Sequence, residues 1–286
     1  MEEKIRIAIQ KAGRLSDHSL DLLTECGLRF NNGKNRLKAV AHNFPAELLF
    51  LRDDDIPGYV EDGVADLGIV GENEVAEKRK DVVVVKRLGF SKCRLSLAVP
   101  RDQEYTGVQS LNGANIATSY PRILQDFLQE HQVKAQIHEI SGSVEIAPSI
   151  GLADAICDIV SSGSTLLSNG LKEVEEIFRS EAVLIGSPQI SHEKQKLIDQ
   201  LTFRMNSVQT GKGNRYILLN APEAATEEII NILPGMRSPT VLPLAMSGWN
   251  SIHSVVKEDD FWKVIEQLRA AGAEGILVVP IEKMIV

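Results

Sequence analysis

Between Ala153 and Thr165 the chain reads as a short buried strand carrying two acids, Asp154 and Asp158, then a turn of small hydroxyl residues around Gly163, then a helix start. A buried strand that passes through a tight turn into a helix is the repeating piece of parallel α/β architecture, because parallel neighbours need a long, usually helical, crossover. The same alternation recurs along the first two thirds of the sequence. Strands are expected at 4–9, 66–70, 82–85, 93–99, 114–118 and 134–140, with one ending at Arg52 and strand material in 173–187. Helices are expected from an N-cap at Ser16, over 56–62, near 72–80, over 123–131 and over 193–207.

The pattern changes at Thr210-Gly211-Lys212-Gly213-Asn214, where two glycines read as interrupting a helix, so a domain boundary is expected between 211 and 212. Beyond it the order is strand 216–220, helix 224–233, strands 240–244 and 251–256, helix 261–271 and strand 275–280. That βαββαβ order is ferredoxin-like, with Pro234-Gly235 and Gly272 at the helix exits.

A hydrophobic share of 43% and a charged share of 24% over 286 residues describe a globular chain with a sizeable core. A net charge of −8 with no basic run argues against nucleic acid as a partner. Cys26, Cys93 and Cys157 are too few and too scattered for a disulfide framework or a zinc site and read as reduced thiols. No apolar run approaches membrane length and none resembles a cleavable leader, so a cytoplasmic protein without a membrane partner is expected.

Ser161, Ser162, Gly163, Ser164 and Thr165 form a turn whose amides and hydroxyls suit a phosphate. Carboxylates repel that group, so Asp154 and Asp158 would serve sugar hydroxyls or a magnesium ion. The competing reading is an ordinary N-cap that needs no ligand. Ser141-Gly142-Ser143 reads as a second cradle or as a cap for the acid-bearing helix after it. Lys11, Gly13 and Arg14 follow the first strand at the edge where open α/β sheets bind ligands, or else form a solvated basic turn. Asp53, Asp54 and Asp55 stand before a helix and are read as complementing its dipole in preference to holding a metal. Tyr120, in a Ser-Tyr-Pro turn, faces a base or ribose or packs in the core. The six histidines show no metal or dyad spacing and are read as surface or structural.

Several of these segments in this order resemble the long form of the ATP phosphoribosyltransferases, which begin histidine biosynthesis. They are Gln10-Lys11-Ala12-Gly13-Arg14-Leu15, Arg52 through Gly71, Ala117-Thr118-Ser119-Tyr120-Pro121, Ser141 to Pro148, Asp154 to Gly170 and Val279-Pro280-Ile281-Glu282-Lys283. The resemblance implies two catalytic lobes of the periplasmic-binding-protein type II kind, about 1–90 with 181–211 and about 91–180, and a ferredoxin-like regulatory domain over 212–286. It implies transfer of a phosphoribosyl group from phosphoribosyl pyrophosphate (PRPP) to N1 of ATP with Mg²⁺, held mainly by the pyrophosphate. It implies inhibition by histidine and assembly from dimer to hexamer. Asp154, Asp158 and Ser161 through Thr165 match its PRPP segment, and Lys11, Gly13, Arg14, Asp66, Gly71 and Tyr120 its ATP side. Asn220, Met236, Ser238, Thr240 and Val255 align around the effector. No covalent nucleophile is required, since adenine N1 carries its own lone pair, and no acid or base residue is assigned.

Overall fold

The computed structural model describes residues 3–30, 37–233, 235 and 238–286. They divide into two compact units, residues up to Asp21 together with Leu28–Leu197, and Leu22–Gly27 together with Ile198–Val286.

The larger unit is built on two sheets. The first combines β1 (Ile5–Gln10), β2 (Lys38–Val40), β3 (Ala46–Leu51), β4 (Leu67–Gly71), β5 (Val83–Arg87) and β11 (Ala182–Gly186) in the order β2-β3-β1-β4-β11-β5. The second combines β6 (Cys93–Pro100), β7 (Asn115–Thr118), β8 (Gln136–Glu139), β9 (Ala155–Val160) and β10 (Leu171–Ser180) in the order β10-β6-β9-β7-β8. Both follow one plan. Three parallel strands (β3-β1-β4, β8-β7-β9) are followed by a reversed strand (β11, β6) and a last strand antiparallel to it (β5, β10). In each lobe the reversed strand is the one that enters directly after the chain has crossed from the other lobe. This interleaved order is that of the periplasmic-binding-protein type II fold.

The central strands are apolar because they are covered on both faces. In the second lobe, Leu95, Leu97, Ile116 and Cys157 bury one face of the sheet, and Ala98, Ala117, Ile156 and Val160 the other. Around the sheets lie α1 (Arg14–Glu25), α2 (Ile56–Glu61), α3 (Glu72–Lys78), α4 (Pro121–Glu130) and α5 (Ser164–Ser168). The α1 helix opens before the expected cap: the Gly13 carbonyl accepts the Asp17 amide at 3.1 Å as its first helical bond, and Ser16 is buried in the first turn. Ser141–Ser143 leads only into a single 3₁₀ turn, Val144–Ile146, with no side-chain cap.

The lobes are joined by more than the two chain crossings. The first residue of α4 is Pro121, which has no amide proton, and no side chain of its own caps that helix. Glu77 of α3 does so from the other lobe, its buried carboxylate accepting the Arg122 amide at 3.0 and 3.1 Å and the Ile123 amide at 3.0 Å. Arg122 returns the contact, donating to the Glu77 and Lys78 carbonyls at the end of α3 (3.3 and 3.0 Å).

In the smaller unit, β12 (Asn214–Pro222), β13 (Thr240–Pro243), β14 (Trp249–Lys257) and β15 (Glu274–Pro280) form an antiparallel sheet in the order β13-β14-β12-β15. With α7 (Thr226–Ile232) and α8 (Phe261–Ala270) on one face, this is the ferredoxin-like arrangement, its core made by Ile217, Leu219, Ile229, Ile252 and Leu268. Of the two glycines expected to interrupt the preceding helix, only Gly213 stands at its end. The α6 helix (His192–Lys212) runs through Gly211, which lacks a side chain for another reason: a Cβ there would meet Ile281 O at 2.8 Å and Glu282 C and Lys283 N at 2.9 Å. Gly211→Val is therefore expected to destabilise the fold by about 1–3 kcal/mol through overpacking against rigid backbone, read as a lower midpoint in urea unfolding.

Candidate active site

A cleft of about 460 Å³ opens between the two lobes of the larger unit. From the first lobe it is lined by Gln10 at the end of β1, Arg14 and His18 on α1, Asp53, and Gly71, Asn73 and Glu74 where β4 passes into α3. The opposite wall is Tyr120, Ile159 and Ser161, and Ser91, Lys92 and Cys93 of the first chain crossing close it. These positions are the C-terminal ends of parallel strands and the turns after them, the edge at which open α/β sheets hold ligands.

Arg14 is exposed and makes no ion pair or hydrogen bond among the described residues, so its charge faces the cleft uncompensated. Lys11 and Gly13 belong to the same turn but do not line the cleft. Asp53 accepts from Gln10 Nε2 at 3.2 Å, while Asp54 is taken up by Arg52 (3.2 Å) and Lys78 (3.7 Å). His18, read from sequence as surface or structural, lines the cleft with Nδ1 at 3.2 Å from Ser91 Oγ.

Deep in the cleft, buried polar groups satisfy one another across the lobes. Tyr120 donates to Glu74 Oε1 at 3.1 Å, and Asn73 Nδ2 donates to both at 3.2 Å. Ser180 accepts the Asn73 amide at 3.1 Å and donates to Asn73 Oδ1 at 2.7 Å. Burial, then the negative charge of Asp53, pushes the Glu74 carboxyl up to about 7. Burial, then Glu74, holds the Tyr120 phenol far above its ordinary range.

In the second lobe β9 delivers Asp158 and the turn. Asp158 is opposite Ser96 of β6, so the two share a face of the sheet, and its Oδ1 accepts the Ile159 amide at 2.8 Å. Burial raises its carboxyl to about 6, opposed by that amide and assisted by the charge of Glu145. Gly163 takes φ 78°, a left-handed conformation that favours glycine, and α5 begins with no side-chain cap. Ser162 Oγ lies 3.0 Å from Ser164 Oγ. Ser161 opens into the cleft and Ser162, Ser164 and Thr165 are exposed beyond it.

Asp158 does not itself line the cleft, and two further sequence-predicted acids lie away from it. Asp154 precedes β9, about 20 Å from Ser161 at the rise of a strand, and its Oδ2 accepts the Asn115 amide at 2.8 Å and Nδ2 at 3.2 Å. Asp66 precedes β4, at the end away from Gly71, where its carboxylate accepts the Arg6 amide (2.8 Å) and Lys194 Nζ (2.8 Å). The two acids do the same work, each tying down the amide at the start of the neighbouring parallel strand, β1 for Asp66 and β7 for Asp154. Their sequence signal is an internal repeat, Gly63-Val64-Ala65-Asp66 and Gly151-Leu152-Ala153-Asp154.

Of the expected effector residues, Asn220, Thr240 and Val255 lie on the sheet face away from the helices of the smaller unit, as strand alternation from Leu219, Val241 and Val256 requires. Ser238 is exposed before β13, and Met236 lies outside the described residues. The same face carries a chain that sequence reasoning missed, Tyr216 Oη to His253 Nδ1 at 2.7 Å and His253 Nε2 to Ser251 Oγ at 3.0 Å.

A family profile described as HisG, ATP phosphoribosyltransferase, matches residues 52–207, more than half of the chain, and one described as HisG, C-terminal domain, matches 212–283. The chain belongs to the ATP phosphoribosyltransferase family. An ATP phosphoribosyltransferase of Cytophaga hutchinsonii is 62% identical over 285 residues, covering 100% of both chains. One of Bacteroides fragilis is 58% identical over 282 residues, covering 99% of this chain and 100% of its own. Among solved structures, the ATP phosphoribosyl transferase (HisG:HisZ) complex from Thermotoga maritima aligns at a TM-score of 0.62 and 26% identity, over 71% of this chain and 96% of its own. Membership makes the chain a phosphoribosyl-transferring enzyme of histidine biosynthesis.

The Glu74 carboxyl supplies a test of this polar network. In the native state it keeps its proton to about 7, against an ordinary value of 4.5, so the folded form binds more protons than the unfolded one in that window and stability falls as pH rises through it. Glu74→Gln removes the ionisation and keeps an oxygen for Tyr120. It is expected to melt above the parent at about pH 8.5, with the gap closing below about pH 4.5, as followed by circular dichroism.

Proposed function

We infer that the chain transfers the 5-phosphoribosyl group of PRPP to N1 of ATP, releasing pyrophosphate and giving N1-(5-phosphoribosyl)-ATP. The observation that carries this reading is one cleft with an uncompensated cation, Arg14, on one wall and, on the other, Ser161 leading into a turn of exposed hydroxyls whose helix has glycine as its N-cap. The 5-phosphate takes the amides and hydroxyls of Ser161 through Thr165, and Asp158 accepts from the ribose hydroxyls. Lys11, Gly13, Arg14, Gly71 and Tyr120 serve the ATP side. Asp66 and Asp154 are left out of the substrate contacts because their carboxylates are engaged at the far ends of β4 and β9.

Carbon C1 gains oxocarbenium character as pyrophosphate leaves, so the residues' task is to hold the acceptor in line and to offset charge on the departing group. Adenine N1 attacks with its own lone pair, and no covalent enzyme intermediate is needed. Mg²⁺ characteristically keeps several waters and binds one or two carboxylates plus phosphates. The described residues fit that mode: no group of three or more His, Cys, Asp or Glu gathers into a metal shell, while Asp53 is a single carboxylate lining the cleft and Asp158 stands on β9 beside Ile159 of its wall. Bound on the pyrophosphate, the ion would neutralise the leaving group.

We assign residues 1–211 to catalysis, as lobes of about 1–90 with 181–211 and about 91–180, and 212–286 to regulation by histidine. Asn220, Thr240 and Val255 sharing one sheet face supports an effector there. Leu277 and Val279, 58% and 47% exposed on the same face, support association of copies, from dimer to hexamer. Among the described residues no helix is long and apolar enough to cross a membrane, consistent with a cytoplasmic role.

Pyrophosphate release should require ATP, PRPP and Mg²⁺ together and stop with a chelator. Release with adenine or orotate but not ATP would overturn the acceptor assignment. Histidine should inhibit that release, and Thr240→Val and Asn220→Ala should weaken inhibition several-fold with kcat retained. Undiminished inhibition in both variants would move the effector elsewhere.

A further inference from the structure

Arg94 stands behind the turn. It is the single arginine of β6, opposite Val160 of β9, and it lines a second cavity of about 530 Å³ instead of the cleft itself, the two sharing Lys92, Cys93 and Ser161. Its guanidinium is held by a two-pronged grip. Nε and Nη2 donate to the two carboxylate oxygens of Glu173 on β10 at 2.5 and 2.6 Å, and the buried Ser96 hydroxyl donates to Glu173 Oε1 at 2.8 Å. A bidentate arginine–carboxylate pair fixes the guanidinium plane, so the remaining nitrogen has little freedom of aim. That nitrogen, Nη1, donates to the carbonyl of Ser161 at 3.3 Å.

The Ser161 carbonyl and the Ser162 amide belong to one peptide plane, and in a trans peptide they point in opposite directions. Drawing the carbonyl toward Arg94 therefore turns the Ser162 N–H away from it. With its charge matched by Glu173, the guanidinium acts on the backbone and not as an anion binder in its own right.

We propose that Arg94, locked by Glu173 and Ser96, is a positioning residue that sets the orientation of the Ser161–Ser162 peptide so that the turn presents its amide to the PRPP 5-phosphate. The proposal rests on the reading of this turn as the phosphate site. It predicts a selective defect in one substrate, which a general loss of packing would not produce.

The test is steady-state kinetics on the full-length enzyme with Arg94→Ala, Arg94→Lys and Glu173→Gln, and with Thr165→Val as a direct probe of the turn. Arg94→Ala should raise KM for PRPP about tenfold, the size of one lost oriented donor to a charged group, and leave KM for ATP within about twofold. Arg94→Lys, which keeps the charge but cannot grip both Glu173 oxygens and reach the Ser161 carbonyl with one ammonium, should recover little of that loss, and Glu173→Gln should fall between the parent and Arg94→Ala. Equal rises in both KM values, or a defect that follows the melting temperature, would overturn the proposal. So would an unchanged KM for PRPP in Arg94→Ala when Thr165→Val raises it, a result that leaves the phosphate reading standing. If Thr165→Val leaves KM for PRPP unchanged, the phosphate reading falls and the proposal with it. Should Arg94→Ala not fold, the same substrate split is read from Glu173→Gln.

Discussion

The carboxylate of Glu77 holds the catalytic architecture in register. It is an N-cap supplied in trans: the helix that receives it starts with Pro121 in one lobe, and the residue that satisfies its first free amides sits in the other. A cap of this kind is worth about 0.5–2 kcal/mol, and here the return contact from Arg122 to the end of α3 closes the pair. Two helix ends that would each leave orphan groups therefore complete one another, and the faces of the cleft are fixed by backbone chemistry before any ligand arrives.

The polar groups deeper in the cleft depend on that registration. Glu74 and Tyr120 come from different lobes and share a hydrogen bond that neither could replace with water at their degree of burial. The raised Asp158 carboxyl is of the same origin, an acid kept from full ionisation by its surroundings until about 6. At neutral pH a group in that condition is mostly ionised and accepts from hydroxyls well, and it takes up a proton more readily than an exposed aspartate would.

Much of the fold could be read from the chain because it is local. The strand–helix alternation, the hydroxyl turn at 161–165 and the βαββαβ tail all follow from periodicity and punctuation over short windows. What escaped reading was set by distance. Asp154 and Asp158 look equivalent in sequence, but a strand separates them by its length, and only the recurrence of Gly-x-Ala-Asp at 63–66 and 151–154 indicates that Asp66 and Asp154 are a matched structural pair. Gly211 read as a helix breaker, yet what it accommodates is a backbone segment seventy residues later in the chain. Asn73, Glu74, Glu77 and Arg94 carry no local signal, since their partners are Tyr120, Ser180, Arg122 and Glu173 on other elements.

The interleaved sheets also govern how the polypeptide can be made. β11 lies between β4 and β5, yet it is synthesised about a hundred residues after them. Until the ribosome has released Ala182–Gly186, those two strands flank a gap and expose ladder groups that a stray strand could fill. The first lobe must therefore wait, incompletely paired, while the second is translated, whereas the second finds its own reversed strand already emerged. Vectorial synthesis thus favours completion of the later lobe before the earlier one.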